Sequence, residues 1–164
     1  MTIPRLIVAV DPGFGGAIAF LRNGSELEIH DMPCLELKRN GKAKRDLNYT
    51  EIGRLFDCAH DADGLWVERV SSMPGQGISS AFAFGKSTGA IIGAAAAQFW
   101  RIHEIPPVTW KRAVGLRAGD GKDASRALAI HYFPTYSALF ARKRDEGRAE
   151  AALIAWYAFR SQIE

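Results

Sequence analysis

Asp11, Glu68 and Glu150 each stand where a carboxylate is out of place. Asp11 ends the apolar run 6–10, "LIVAV", and leads at once into the turn of "DPGFGG". Glu68 lies inside "LWVERV", on the side of an expected strand shared by Trp66 and Val70. Glu150 opens a stripe with Leu153, Ile154 and Tyr157 at helical spacing, so it faces a core; Glu146 precedes it by one turn on the same side. A buried carboxylate is costly unless paired or protonated. Each acid has an ordinary explanation: Asp11 caps its turn, Glu68 meets a core arginine, Glu146 and Glu150 favour a helix N-terminus. One shared site accounts for all of them at once. Carboxylate clusters hold hard divalent cations such as Mg²⁺ or Mn²⁺, and a pair of such ions clamps the attacking and leaving oxygens of a phosphodiester displacement.

The elements must bring these residues together. Strands are expected over 6–10, 17–21 and 27–32, the last two joined by "RNGS", whose Asn23-Gly24 is a strong hairpin signal. A helix over 50–59 with Thr50 as N-cap, a strand over 65–70 and a long helix over 79–100 follow. A strand over 102–105 and helices over 108–114, 122–132 and 146–161 complete the chain. Hairpin strands followed by strands alternating with helices indicate an α/β fold: a mixed five-stranded sheet with helices on both faces. The closing helix also bears on the fourth acid. At about 100° per residue, Glu146 lies ~40° from Glu150 and Asp145 lies ~140° away. Glu146 is the expected ligand and Asp145 the expected N-cap. Gly147 keeps Asp145 as the alternate, because the helix need not begin before Arg148.

Composition narrows the classes. A net charge of +3 fits a nucleic-acid partner without demanding one. Five basic residues, Lys38, Arg39, Lys42, Lys44 and Arg45, crowd into "KRNGKAKR". With its own Asn-Gly it is an exposed loop or hairpin tip, either a solvated charge run or an arm that contacts phosphates. Cys34 and Cys58 read as buried free thiols of a reducing cytosol. The N-terminus lacks a signal-peptide pattern, and the apolar run 89–99, broken by Gln98, is too short to span a bilayer. A soluble cytoplasmic protein without a membrane partner is expected.

Two other patterns carry less. Gly85-Lys86-Ser87 is the tail of a phosphate-loop motif, but Ser80 stands where its first glycine belongs, so no nucleotide cofactor is expected. An actin-like reading of "DPGFGG" needs two such domains. Ala81, Gly85, Gly89, Gly93 and Ala97 form a ridge of small residues. It packs either on the protein's own sheet or on a second copy across a two-fold axis.

The ordered set "VDPGFGGA", "WVERV", "PGQG", "VTWKRAVGL", "KDASRALA" and "GRAEAALIAWY" resembles the RuvC family of Holliday-junction resolvases, in its phage and RuvC-like branch. The resemblance spans nearly the whole chain, 1–164, as a single nuclease domain. It implies a ribonuclease-H-like fold, a homodimer, two Mg²⁺ or Mn²⁺ ions per site, and paired symmetric nicking of four-way DNA junctions. A non-cutting branched-DNA module, or a nuclease acting on hybrids or flaps, is the alternative. Asp11, Glu68 and Glu150 match the family's metal-binding acids, and Lys111 and Lys122 its lysines near the scissile phosphate. Two positions depart from the pattern. Gly147 replaces the acid or histidine three residues before the last acid, leaving Glu146 or Asp145 as fourth ligand. Ser71, with Met73 nearby, replaces the phenylalanine that wedges into the junction.

Overall fold

The computed structural model describes residues 5–39, 41–69, 71, 75, 77–121 and 123–162, without the side chains of Arg39 and Lys42. Lys122, Val70 and Met73 lie outside it. A five-stranded sheet runs in the order β3-β2-β1-β6-β7. Its strands are β1 (Leu6–Asp11), β2 (Ala17–Arg22), β3 (Glu26–Asp31), β6 (Gly64–Glu68) and β7 (Arg101–Ile105). The first three form an antiparallel meander, whereas β6 and β7 add parallel to β1. At the β2–β3 turn, Asn23 and Gly24 both take positive φ, as the Asn-Gly signal requires.

The strand expected over 65–70 stops at Glu68, and of the two forms expected for the basic segment, loop or hairpin tip, it is the hairpin. Residues Cys34–Arg39 and Lys42–Leu47 form a separate two-stranded hairpin, β4 and β5. Helix α1 (Tyr49–Cys58) is capped by Asn48, not Thr50. The Asn48 Oδ1 accepts from the Glu51 N–H at 3.1 Å, satisfying a donor in the first turn, and Thr50 already lies inside the helix. Of the two cysteines, Cys34 is half-buried and Cys58 is exposed at the end of α1; both are free thiols.

Side-chain alternation divides the core between the two faces of the sheet. Leu6, Val8 and Val10 of β1 and Leu65 and Val67 of β6 pack under α1 and α2 (Ile78–Ala97). Ile7 and Ala9, with Trp66, pack under α3 (Pro107–Val114), α4 (Asp123–Tyr132) and α5 (Glu146–Ser161). Helix α5 buries Ala149, Ala151, Ala152 and Ala155, small side chains that let it lie close to β1 and β2. Two short 3₁₀ segments, Pro134–Phe140 and Lys143–Asp145, link α4 to α5. Among the described residues no helix is long and apolar enough to cross a membrane.

Candidate active site

Strand parity puts two of the acids on one face. Asp11 follows Ile7 and Ala9 at two-residue steps, and Glu68 follows Trp66, so both project toward α5. The parallel pairing of Val10 with Val67 sets the C-terminal ends of β1 and β6 level. Asp11 and Glu68 are therefore neighbours just where open α/β sheets place their ligands. Helix α5 brings Glu150 to the same end, and α3 brings Lys111.

The group is held by specific contacts. Trp110, fully buried on α3, donates its indole N–H to Glu68 Oε2 at 2.8 Å. The Lys111 ammonium lies 3.0 Å from Glu150 Oε1 and 5.1 Å from the centre of the Trp110 ring. Ser125, buried on α4, donates weakly to Glu150 Oε1 at 3.4 Å. Burial, and then Glu150 and Glu68, push the Asp11 carboxyl up to about 7, against the opposing pull of the Gly13 N–H and Lys111. Burial, with Glu150 nearby, also raises Glu68, while the Trp110 hydrogen bond opposes the rise. Burial disfavours the charged Lys111, but its bond to Glu150 and the charges of Glu68 and Asp11 outweigh that and raise it.

Three carboxylates against one ammonium leave an excess of buried negative charge, and protonation of Asp11 near neutral pH is how the bare chain relieves it. The donor set is oxygen-only and fits a hard divalent cation in kind. Among the described residues no three ligating side chains already close into an ion-holding group; Lys111 occupies Glu150 instead.

The two acids considered for the fourth place differ sharply. Asp145 is 2 % exposed and committed elsewhere. It accepts from the Arg142 backbone N–H at 2.8 Å and from its guanidinium at 2.9 Å, with Arg148 at 3.8 Å. The Arg142 hydrogen bond holds its carboxyl below the ordinary range. Asp145 does occupy the N-cap position of α5, but its side chain caps the preceding 3₁₀ turn and not α5. Helix α5 begins at Glu146 and runs unbroken through Gly147. Glu146 is half-buried one turn before Glu150; no hydrogen bond or ion pair among the described residues ties it to the other acids.

Gly147 has its own explanation. A Cβ there would sit 2.2 Å from the Gly15 carbonyl oxygen and 2.7 Å from Gly16 Cα. The α5 terminus rests directly on the turn that follows Asp11, so no side chain fits at 147. Of the other candidate residues, Lys38, Lys44 and Arg45 are exposed on the β4–β5 hairpin, and no hydrogen bond or ion pair among the described residues joins them to the acids. Trp110 and Ser125 escaped the reading of the sequence. The available signal for Trp110 was an indole, whose buried N–H needs an acceptor, placed next to a candidate lysine.

No family model matches the chain. In sequence it is 37% identical over 93 residues to the chloroplastic Holliday junction resolvase MOC1 of Chlamydomonas reinhardtii. That stretch is 57% of this chain and 10% of the relative, so the chain matches only about a tenth of that protein's length. In structure it is similar to Thermus thermophilus RuvC, with a TM-score of 0.58 at 16% identity, covering 96% of each chain. It is also similar to T. thermophilus RuvC in complex with a Holliday junction substrate, with a TM-score of 0.62 at 14% identity, covering 97% of this chain and 96% of that one. The chain thus carries the RuvC fold, and part of its sequence is related to that of a Holliday junction resolvase.

Proposed function

We propose that this chain is a divalent-metal-dependent endonuclease that resolves four-way DNA junctions by paired symmetric nicks, acting as a homodimer. The observation that carries the reading is the convergence of Asp11, Glu68, Glu150 and Lys111 at one end of a RuvC-type sheet. A solved relative with that fold is described with a Holliday junction as substrate, and that substrate class is extended to this chain here.

Asp11, Glu68 and Glu150 would hold the cation, two ions being the proposed complement, with Glu146 as the fourth ligand. Bound there, Mg²⁺ or Mn²⁺ supplies a Lewis acid for the phosphate and lowers the pKa of the attacking water. Trp110 fixes the Glu68 carboxylate. Lys111 exchanges its bond to Glu150 for charge developing on the phosphate, the kind of preorganised stabilisation that lowers such barriers. Water adds to phosphorus and the bond to the 3′-oxygen breaks, leaving a 5′-phosphate and a 3′-hydroxyl. Lys122 is assigned a phosphate contact beside Lys111. Lys38, Arg39, Lys42, Lys44 and Arg45 of the hairpin hold the arms through their phosphates, which sets position and not sequence.

The dimer is supported by α2. This helix buries Ser87, Thr88, Ile91 and Ala95 against the sheet. Gly85, Gly89 and Gly93 face outward, and a Cβ on any of them would meet nothing within 4 Å. The ridge therefore does not serve packing on the protein's own sheet.

The test is incubation with labelled four-way, flap, hybrid and linear duplex substrates in Mg²⁺, Mn²⁺ or EDTA. Symmetric nicks on the four-way junction, lost in EDTA and in Glu68→Gln while junction binding persists, are the expected result. Undiminished cutting in EDTA, or preference for hybrids or flaps, overturns the assignment.

A further inference from the structure

We propose that the trough between the β4–β5 hairpin and the N-terminal half of α2 is a binding path for unpaired DNA strand next to the active site. The origin of that strand at a branch point rests on the junction reading above; the chemistry of the trough does not.

Two adjoining hollows of about 440 and 510 Å³ make up the trough, and Phe14, Lys44, Ser79 and Ala83 wall both. Phe14 belongs to the turn that follows Asp11, and Pro12, the residue after Asp11, walls one hollow. The trough is therefore continuous with the loop that positions the first catalytic acid. Its apolar surface carries three rings beside the aliphatic Leu37 and Ile78: Phe14 and Phe84, half-buried, and Phe82, 74% exposed at the rim. Its charge is cationic. Lys44, Arg45 and Lys86 face one carboxylate, Asp46, which Lys86 at 3.1 Å and the Tyr49 hydroxyl at 3.1 Å already engage.

Accessible rings interleaved with cations, here one exposed and two half-buried, are the combination that binds single-stranded nucleic acid, because bases stack on the rings while phosphates meet the ammonium groups. Duplex DNA can meet the cations of such a surface through its phosphates but not the rings, since its base faces are stacked on one another. An occupant that uses the rings is therefore unpaired.

The full-length protein, held in EDTA to prevent cutting, is titrated into a labelled single strand of about 12 nucleotides, a length within the range one such site covers. A blunt duplex of the same length is titrated in parallel. Phe82→Ala removes an exposed ring. Phe14→Leu keeps apolar volume in a residue that also packs on the core and removes only the aromatic face. Each is expected to weaken single-strand binding at least about fivefold and to leave duplex binding within about twofold. Lys44→Ala is expected to lower the single-strand salt slope by roughly 0.7. Sedimentation shows whether Phe82→Ala changes the oligomeric state, and Phe14→Leu reports independently of it. Unchanged single-strand affinity in both ring variants overturns the trough. Single-strand binding that depends on these rings in a protein that cuts no junction keeps the trough and overturns the junction reading. Junction cutting with ring-independent strand binding does the reverse.

Discussion

Asp11 is the residue on which the electrostatics of the site turn. Folded, it keeps its proton up to about pH 7; unfolded, it would release it near 3.8. Between these values the folded chain binds more protons, so stability falls as pH rises through that window. The contribution is whole below the unfolded value and gone above about 7. Asp11→Asn carries no such group. Without divalent cation, the unfolding free energy of the wild type relative to Asp11→Asn should decline from about pH 4 to pH 8, by on the order of 4 kcal/mol. Adding Mg²⁺ should raise the stability of the wild type at the alkaline end and leave Asp11→Asn little changed. Thermal melts across pH, with and without cation, measure both; a flat difference curve would show that the acids do not share a site. Trp110 acts one step removed, through Glu68. Trp110→Phe loses a hydrogen bond to a charged acceptor, an interaction of about 1.5–3 kcal/mol, as well as some core volume. Val114→Ala, buried on the same helix away from the acids, serves as the control for lost packing. Both should be destabilised, but only Trp110→Phe should bind cation more weakly, read as a smaller thermal shift on titrating Mn²⁺. Equal shifts in the two variants would reduce Trp110 to packing.

At the scale of elements, the decisive contact is α5 against the β1–β2 turn. Helix propensity alone says that Gly147→Ala stabilises, by up to about 1 kcal/mol. The contact says the opposite, because the new methyl would lie 2.2 Å from a backbone oxygen, and overpacking costs about 1–3 kcal/mol. The contact wins, since backbone on both sides must move. Gly147→Ala should lower the melting temperature and cut activity by more than the stability loss explains, because the shift parts Asp11 from Glu150. A stabilised, active variant would refute the close approach. The same helix separates the two remaining acids. Glu146→Gln should lose most metal-dependent cutting, while Asp145→Asn should lose stability through its bonds to Arg142 and keep activity; the reverse pattern would make Asp145 the ligand. Much of this element scale was legible in the sequence. Asn23-Gly24 marked the hairpin, the apolar run before Asp11 marked β1, and the stripe from Glu150 to Tyr157 marked α5 with its observed bounds. What was not legible depends on distant partners. Nothing local tells that Gly147 meets Gly15, that Arg142 claims Asp145, or that Asn48 caps α1 two residues before Thr50. The hairpin tip at 38–45 was legible, but the length of the β4–β5 strands was not, because a charge-rich ribbon off the main sheet lacks the alternation of a half-buried strand.

At the scale of the whole molecule, the proposed pair of nicks on opposed strands needs two sites related by a two-fold axis, and the outward face of α2 is the proposed seat of a second copy. Gly85, Gly89 and Gly93 lie exposed along one side of this helix. A row of glycines forms a surface on which another helix can approach closely, its side chains settling over them. The sign of a substitution at Gly89 then depends on oligomeric state. In a monomer the site is open, with nothing within 4 Å of a Cβ, so Gly89→Leu gains helix propensity of up to about 1 kcal/mol. In a dimer the same side chain occupies the space needed by the partner helix. Wild type should therefore sediment as a dimer at micromolar concentration and Gly89→Leu as a monomer, with helical content and thermal stability at high dilution equal to or above those of wild type. The monomeric variant should still bind junctions through its basic hairpin but release singly nicked products in place of paired, symmetric ones. A wild-type monomer, or a dimer indifferent to Gly89→Leu, would remove α2 from the assembly and leave paired nicking without a structural basis.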